Sequence, residues 1–333
     1  MKGVGMAGWH PLRFVPTYHE RVWGGDRLAG LFGRRLPPGR RVGESWEVCD
    51  RPEAASRVAE GPLAGWTLGE LMARDAVGLW GPCEKAGMRF PWLCKILDAR
   101  DDLSLQVHPP AHLAGELGGE PKTEMWYVAE ADPGAAVYVG VKPGTTAEEF
   151  ERRCHDGTVA GLFHRLPVRE GDVLFLPSGR VHALGRGLVV FEVQQNSDTT
   201  YRVFDWNRVG LDGKPRALHL GQAMRSIDFT DTEPALVSRE TREDLGWRVR
   251  GLVRHELFCM DHWSGAGERQ VGGGRGAWLL AVVKGRMAVG GGGVTVEAGP
   301  GDFVVVPAGL GGATLDAGAG AEWLQAVRGV EGG

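Results

Sequence analysis

Short apolar runs separated by glycine- and proline-containing turns recur along the chain, the pattern of a protein built mainly from β-strands. Residues 171 to 208, GDVLFLPSGRVHALGRGLVVFEVQQNSDTTYRVFDWNR, read as strand, turn, strand and loop. Gly171 and Asp172 make a turn, Val173 to Leu176 a strand, and Pro177-Ser178-Gly179 a second turn just ahead of His182. Leu188 to Val193 is a β-branched strand that holds Glu192, and the polar segment after it carries Asp198, Arg202 and Arg208. Earlier, Gly43 to Val48 reads as a strand with Glu44 and Glu47 on opposite faces, which prevents those two from forming one acid/base pair. Phe90 to Ala99 is a dense apolar run with Lys95 at its middle. Such a lysine either snorkels at an edge or reaches a partner, because an unpaired buried ammonium is costly. Leu103 to His108 alternates strictly, so Ser104, Gln106 and His108 share one face and Leu103, Leu105 and Val107 the other. A polar face of that kind suggests a cavity. Lys122 and Glu124 fall on one face at the start of the following strand.

Helices interrupt this pattern in few places. Thr67 and Glu70 form a capping box ahead of an apolar pattern through Leu79. Thr145 to Glu151 carries two overlapping boxes, with the helical pattern resuming through Val159 to Leu166, and Leu218 to Ile227 has helical spacing. His112, His155, His164 and His219 read as surface or packing residues. Residues 228 to 244 are charged and threonine-rich and include Pro234, the composition of a connection between domains. The expected division is therefore 1–235 and 236–333.

An internal repeat links the two parts. Gly171, Asp172, Pro177 and Gly179 are matched at the same spacing by Gly301, Asp302, Pro307 and Gly309, so GDVLFLPSG corresponds to GDFVVVPAG. Two copies of one β-architecture follow. Where the first copy has His182, the second has Gly312. No histidine follows His262 and no carboxylate lies between Glu268 and Glu297, so the second copy keeps the turns without the ionisable site.

Composition narrows the function classes. A net charge of −4 with no long basic run argues against nucleic acid and against an acidic membrane surface, and leaves a small molecule as the expected partner. The first ten residues lack an apolar signal core, and runs such as Trp278 to Val283 are too short to span a bilayer, so a cytoplasmic location is expected. Five scattered cysteines with no C-x-x-C pair indicate reduced thiols. Oligomeric state is not encoded in any of these features.

His108, Glu124 and His182 together make a His₂Glu donor set of the type that leaves a zinc coordination position open, and the Gln106 carbonyl could join it. Their spacing matches no short helical zinc motif, and each histidine alone could equally be structural. Lys95, Lys122, Arg202 and Arg208, with the Ser104 hydroxyl, are donors suited to a phosphorylated substrate. The same cations could instead form ordinary salt bridges with Asp98, Asp101, Asp198 and Asp205. Both readings stand at this stage.

The motifs themselves resemble those of the mannose-6-phosphate isomerase family of the cupin superfamily, in its short bacterial form. GDVLFLPSGRVHAL resembles the second cupin motif. PTYHERVWGG, FPWLCKILDARDDLSLQVHP, KTEMWYV and EVQQNSDTTYRVFDW resemble the family's own signatures, in the family's order over nearly the whole chain. The resemblance implies two cupin-type jelly-roll β-barrels, the first metal-binding and catalytic with helical insertions, the second lacking metal ligands. It implies one zinc ion per chain held by His108, Glu124 and His182, with Gln106 as a further ligand in some members. It implies interconversion of mannose 6-phosphate and fructose 6-phosphate, with Arg202 as the catalytic arginine and Lys122 and Glu192 in the active site. Lys95 and Ser104 match phosphate-recognition positions, and Arg208 stands where some relatives carry lysine. Glu192 and Lys122 are the candidate proton carriers, the latter if desolvation beside the metal lowers its pKa. The competing expectations are a cupin that binds a sugar phosphate without turnover and a metal-dependent isomerase of another sugar.

Overall fold

The computed structural model describes residues 8–82, 87–238, 240–274 and 276–329. Cys83 lies outside the described residues. The structure is mainly β, and the registers of its paired strands are antiparallel. Two compact units emerge. One holds Tyr18–Ser45 and Cys94–Val237; the other holds the residues up to Thr17, Trp46–Leu93 and the chain from Ser238 onward. This is not the sequential division at residue 235. The second unit recruits the start of the chain because strand Leu12–Val15 pairs on one side with Phe303–Val306 and on the other with Arg57–Val58.

A six-stranded sheet, most of whose residues belong to the first of these units, runs in the order Val173–Leu176, Glu124–Ala131, Leu188–Gln195, Trp92–Ala99, Thr17–Gly25, Val42–Val48. A five-stranded sheet runs Tyr201–Phe204, Leu105–Val107, His182–Leu184, Ala136–Val141, Phe163–Pro167. Side chains from both, among them Leu97, Trp126, Val128, Val137, Val139, Leu174 and Leu184, form one buried cluster. Period-2 alternation explains what covers the other face of the five-stranded sheet. Leu105, Val107, Ala183 and Val203 point away from that cluster and pack with Phe150 of helix Ala147–Asp156 and Ala223 of helix Leu220–Ser226. Leu103 departs from the expected alternation, since the strand begins only at Leu105 and Leu103 joins the cluster between the sheets.

The helix signals resolve close to their capping residues. Thr67 and Glu70 form a reciprocal capping box for Leu68–Trp80, and Thr146 caps Ala147–Asp156. The expected continuation through 159–166 becomes a 3₁₀ turn, Val159–Leu162, followed by strand Phe163–Pro167, whose Tyr138↔Arg165 pairing completes the sheet edge. The stretch read as a connection ends in a strand, Thr241–Asp244.

In the other unit a ten-stranded sheet includes Trp247–Arg254, Cys259–Val271, Ala313–Val327, Trp278–Lys284 and Phe303–Val306. Its core is apolar, with Trp263 and Trp323 among Val249, Leu280, Val289, Val304 and Leu315.

Candidate metal centre and substrate cavity

Two sheets face each other in the unit that carries the candidate site, and each contributes donors. On the five-stranded sheet, Gln106 lies between His182 and Arg202 in register, so the three side chains stand in a row on one face. On the six-stranded sheet, Gln194 is opposite Glu124 and Glu192 is opposite Trp126, so both glutamates face the same way. His108 follows directly on strand Leu105–Val107.

The turn before His182 is fastened to the rest of the site. Gly179, at a φ of 93°, donates its N–H to the His108 carbonyl at 2.9 Å. Arg180 donates to both carboxylate oxygens of Asp231, at 2.7 and 2.8 Å, and its carbonyl accepts the Nδ1–H of His182 at 2.9 Å. His108 donates its Nδ1–H to the Thr199 carbonyl at 2.8 Å. A carbonyl can only accept, so these contacts fix both tautomers and leave each Nε2 turned toward Glu124.

There the distances are 3.3 Å from His182 Nε2 to Glu124 Oε1 and 3.4 Å from His108 Nε2 to Glu124 Oε2. Burial, followed by the Lys122 ammonium, lowers the His108 pKa to about 3, so this ring is neutral and presents a lone pair to a carboxylate oxygen. All three side chains are at most 1% exposed. His108 Nε2 and Glu124 Oε1 are buried without a hydrogen-bond partner, while Glu124 Oε2 is ion-paired with Lys122. Lone pairs aimed at one another in a buried place are repulsive, and a cation among them removes the repulsion. Among the described residues this trio is the one group of histidine, cysteine and carboxylate side chains able to hold a metal, its donor atoms all within 4.8 Å of one another. Two imidazoles and a carboxylate suit a borderline divalent ion. Gln106 sits beside them, its amide Nε2 at 3.3 Å from His182 Nε2.

A cavity of about 500 Å³ opens beside the trio, lined by Lys95, Ser104, Gln106, Lys122, Glu192 and Arg202 among others. Nine of the ten candidates named from sequence thus line one cavity or sit in the donor trio beside it. Lys122 Nζ lies 2.7 Å from Glu124 Oε2. Burial pulls its pKa down, but Glu124 and Glu192 outweigh burial and raise it. Glu124 is correspondingly kept ionised, since the Lys122 ammonium opposes the effect of burial. Glu192 goes the other way: burial and then the charge of Glu124 raise its pKa against the pull of Lys122 and Lys95. Trp126 Nε1 donates to Glu192 Oε2 at 2.8 Å, while Oε1 has no hydrogen-bond partner.

Lys95 stands among Glu44, Glu192 and Asp198 at 3.6 to 3.7 Å, so it reaches partners in the interior and does not snorkel at an edge. Arg202 lines the cavity with a buried Nε that has no hydrogen-bond partner, and burial lowers its pKa. Arg208 is placed differently from the other candidates. It is bound to Asp205 at 2.9 Å and to the Asp102 carbonyl, and it is not among the residues lining the cavity. Arg216, also held by Asp205, lines it instead. Sequence reasoning missed Arg216, the Arg21–Glu44 pair at 2.8 Å, and Arg180. Only the strand parity of Glu44 carried a signal, and that was read against Glu47 alone.

The facing antiparallel sheets, with a His₂Glu trio at the side of a polar cavity, define a cupin-type metal-site protein. The model for "Phosphomannose isomerase type I, catalytic domain" matches residues 12–151. The chain is 38% identical over 307 residues to the mannose-6-phosphate isomerase ManA of Bacillus subtilis, covering 90% of this chain and 94% of that protein. It is 37% identical over 287 residues to a mannose-6-phosphate isomerase of Streptococcus mutans, covering 84% and 87%. The crystal structure of a Bacillus subtilis mannose 6-phosphate isomerase superposes with a TM-score of 0.86 at 31% identity, covering 95% of this chain and 99% of that one. A mannose 6-phosphate isomerase solved with zinc bound shares the fold, with a TM-score of 0.77 at 15% identity and coverage of 96% and 100%. The chain belongs to the mannose-6-phosphate isomerase family.

Proposed function

We propose that this chain interconverts mannose 6-phosphate and fructose 6-phosphate in the cavity beside His108, Glu124 and His182, with those three residues holding one zinc ion. The observation that carries the metal assignment is the convergence of His108 Nε2, His182 Nε2 and the Glu124 carboxylate within 4.8 Å of one another, with His108 Nε2 and Glu124 Oε1 buried and without a hydrogen-bond partner. A relative with a bound zinc ion and the same fold supports the choice of metal. When bound, zinc would act as a Lewis acid toward the sugar oxygens.

The chain's own residues supply the rest. Aldose–ketose exchange requires a proton to leave one carbon beside a carbonyl and return to its neighbour. Glu192 is the group suited to carry it, because its pKa is raised and its Oε1 is free of hydrogen bonds. Lys122 keeps the role of a fixed ammonium that compensates Glu124. Arg202 presents its guanidinium to the oxyanion that develops as the proton leaves. For the phosphate end, Ser104 and Lys95 remain candidates, and Arg216 takes the place expected of Arg208 because it lines the cavity. Remote phosphate contacts of this kind position the reacting carbons.

The metal-binding unit is thereby the catalytic one, and we assign the unit built from the second repeat no metal. The reduced cysteines Cys49, Cys94, Cys154 and Cys259 suit the reducing cytoplasm. No described helix is long and apolar enough to cross a membrane. A coupled assay for fructose 6-phosphate, run on zinc-loaded and chelator-treated protein with mannose 6-phosphate as substrate, tests the whole reading. Turnover restored by zinc is the expected result. A zinc-loaded protein that binds the sugar phosphate without converting it would make the chain a binding module, and conversion of a different sugar alone would change the substrate.

A further inference from the structure

A second cavity of about 570 Å³ lies in the same unit and shares no lining residue with the one beside the metal ligands. Arg100, Arg165 and Arg186 line it, together with Tyr138, Asp102 and Asp132. Segment 100–104 separates the two, since Arg100 and Asp102 face this cavity while Leu103 and Ser104 face the other.

The three guanidiniums are exposed, and their charge is only partly offset. Asp132 is ion-paired with Arg27 at 3.4 Å, and Asp102 Oδ1 accepts the backbone N–H of Arg186 at 2.8 Å. Arg165 donates from Nη2 to the Gly134 carbonyl at 3.0 Å and also hydrogen-bonds the Tyr138 hydroxyl, which holds its guanidinium at the cavity wall. Strand register brings Arg165 opposite Tyr138. Asp102, Arg165 and Arg186 line the same cavity as the phenol, and burial, followed by the charge of Asp102, raises its pKa. Behind it the ring packs on Trp206 at 5.4 Å, so the phenol has a fixed seat. Planar guanidiniums that converge in a concave polar surface match the oxygen geometry of phosphate.

We propose that this cavity is a second anion site, separate from the catalytic one, that takes a phosphate-bearing small molecule through Arg100, Arg165 and Arg186 with Tyr138 as a hydroxyl donor. The ligand does not enter the reaction and no bond is made or broken. The assignment goes beyond the isomerase reading and does not depend on it.

Calorimetric titration of inorganic phosphate into three full-length proteins tests it. These are the unaltered chain, an Arg165→Gln/Arg186→Gln variant, and an Arg202→Gln/Arg216→Gln variant that disarms the catalytic cavity. Arg165 and Arg186 are exposed, so their replacement leaves the fold intact, as equal melting temperatures will verify. The expected result is saturable binding that weakens about tenfold or more in the Arg165→Gln/Arg186→Gln protein and persists in the Arg202→Gln/Arg216→Gln protein. Binding lost only with Arg202 and Arg216, binding unchanged in both variants, or no saturable binding to the unaltered chain would each overturn the proposal. The isomerase assay reads the other cavity, so a failure here leaves that result untouched.

Discussion

The segments 171–182 and 301–312 share a turn to the level of individual hydrogen bonds and differ in what the turn presents. Gly171 and Gly301 have φ values of 84° and 85°. Gly171 donates to the Val128 carbonyl and Gly301 to the Val282 carbonyl, both at 2.9 Å. Asp172 accepts the N–H of Arg169, and Asp302 that of Gly299, three residues back in each case, at 2.8 and 2.9 Å. The following strands then diverge chemically. Leu176 is paired with Glu124, whereas its counterpart Val306 is paired with Trp278, and His182 corresponds to Gly312. The scaffold that positions a ligand is thus separable from the ligand. Side-chain identities at the strand opposite and at the end of the turn, together with His108, separate the proposed donor site from its apolar counterpart.

The largest test of that difference is His182→Ala, which should remove nearly all bound metal by elemental analysis and reduce turnover to that of chelated protein. Gly312→Ala in the other copy should leave metal content unchanged. Full metal occupancy in the His182→Ala protein would remove His182 from the donor set. Next in size, Arg202→Gln should keep its metal and lose about 10²–10³-fold in kcat, the typical effect of deleting one group that stabilises a developing oxyanion. A rise in KM with unchanged kcat would reassign Arg202 to phosphate binding. Ser104→Ala should lower kcat/KM by about tenfold, the effect of one hydrogen bond to a charged group. A value equal to the unaltered enzyme would leave Ser104 without a substrate contact. The smallest effect bears directly on the shared turn. Asp172→Ala and Asp302→Ala should each cost about 1 kcal/mol in denaturant titrations, because each deletes one side-chain cap of a backbone N–H. Costs that differ widely would show that the matching geometry conceals unequal support.

Local signals in the sequence reached far into this structure. The repeat, the capping residues of Leu68–Trp80 and Ala147–Asp156, and the face shared by Gln106 and His108 all depend on neighbours a few residues apart. The trio His108, Glu124 and His182 drew on family motifs as well, since its spacing alone matched no metal pattern. What escaped was set by contacts between segments far apart in the chain. Asp205 binds both Arg208 and Arg216, and only the three-dimensional course of the loop decides which of the two reaches the cavity. The recruitment of Leu12–Val15 beside Phe303–Val306 is similarly invisible to periodicity, because strand pattern says that an edge must be filled without naming the filler. Lys122 illustrates an electrostatic limit. Its neighbours in sequence, Pro121 and Thr123, give no sign of its burial, and the direction of its pKa shift depends on two glutamates whose distances only the fold supplies.

The origin of the donors in two facing sheets has a consequence for the order of events in folding. His108 and His182 belong to the five-stranded sheet and Glu124 to the six-stranded one, so no single hairpin of the nascent chain can chelate a metal. The complete coordination environment comes into being only when the sheets close, after most of the nonlocal pairing that limits the folding rate of β-proteins. With the proposed donor set, metal capture would follow closure of the sheets, so zinc added to folded, metal-depleted protein should restore turnover without prior unfolding.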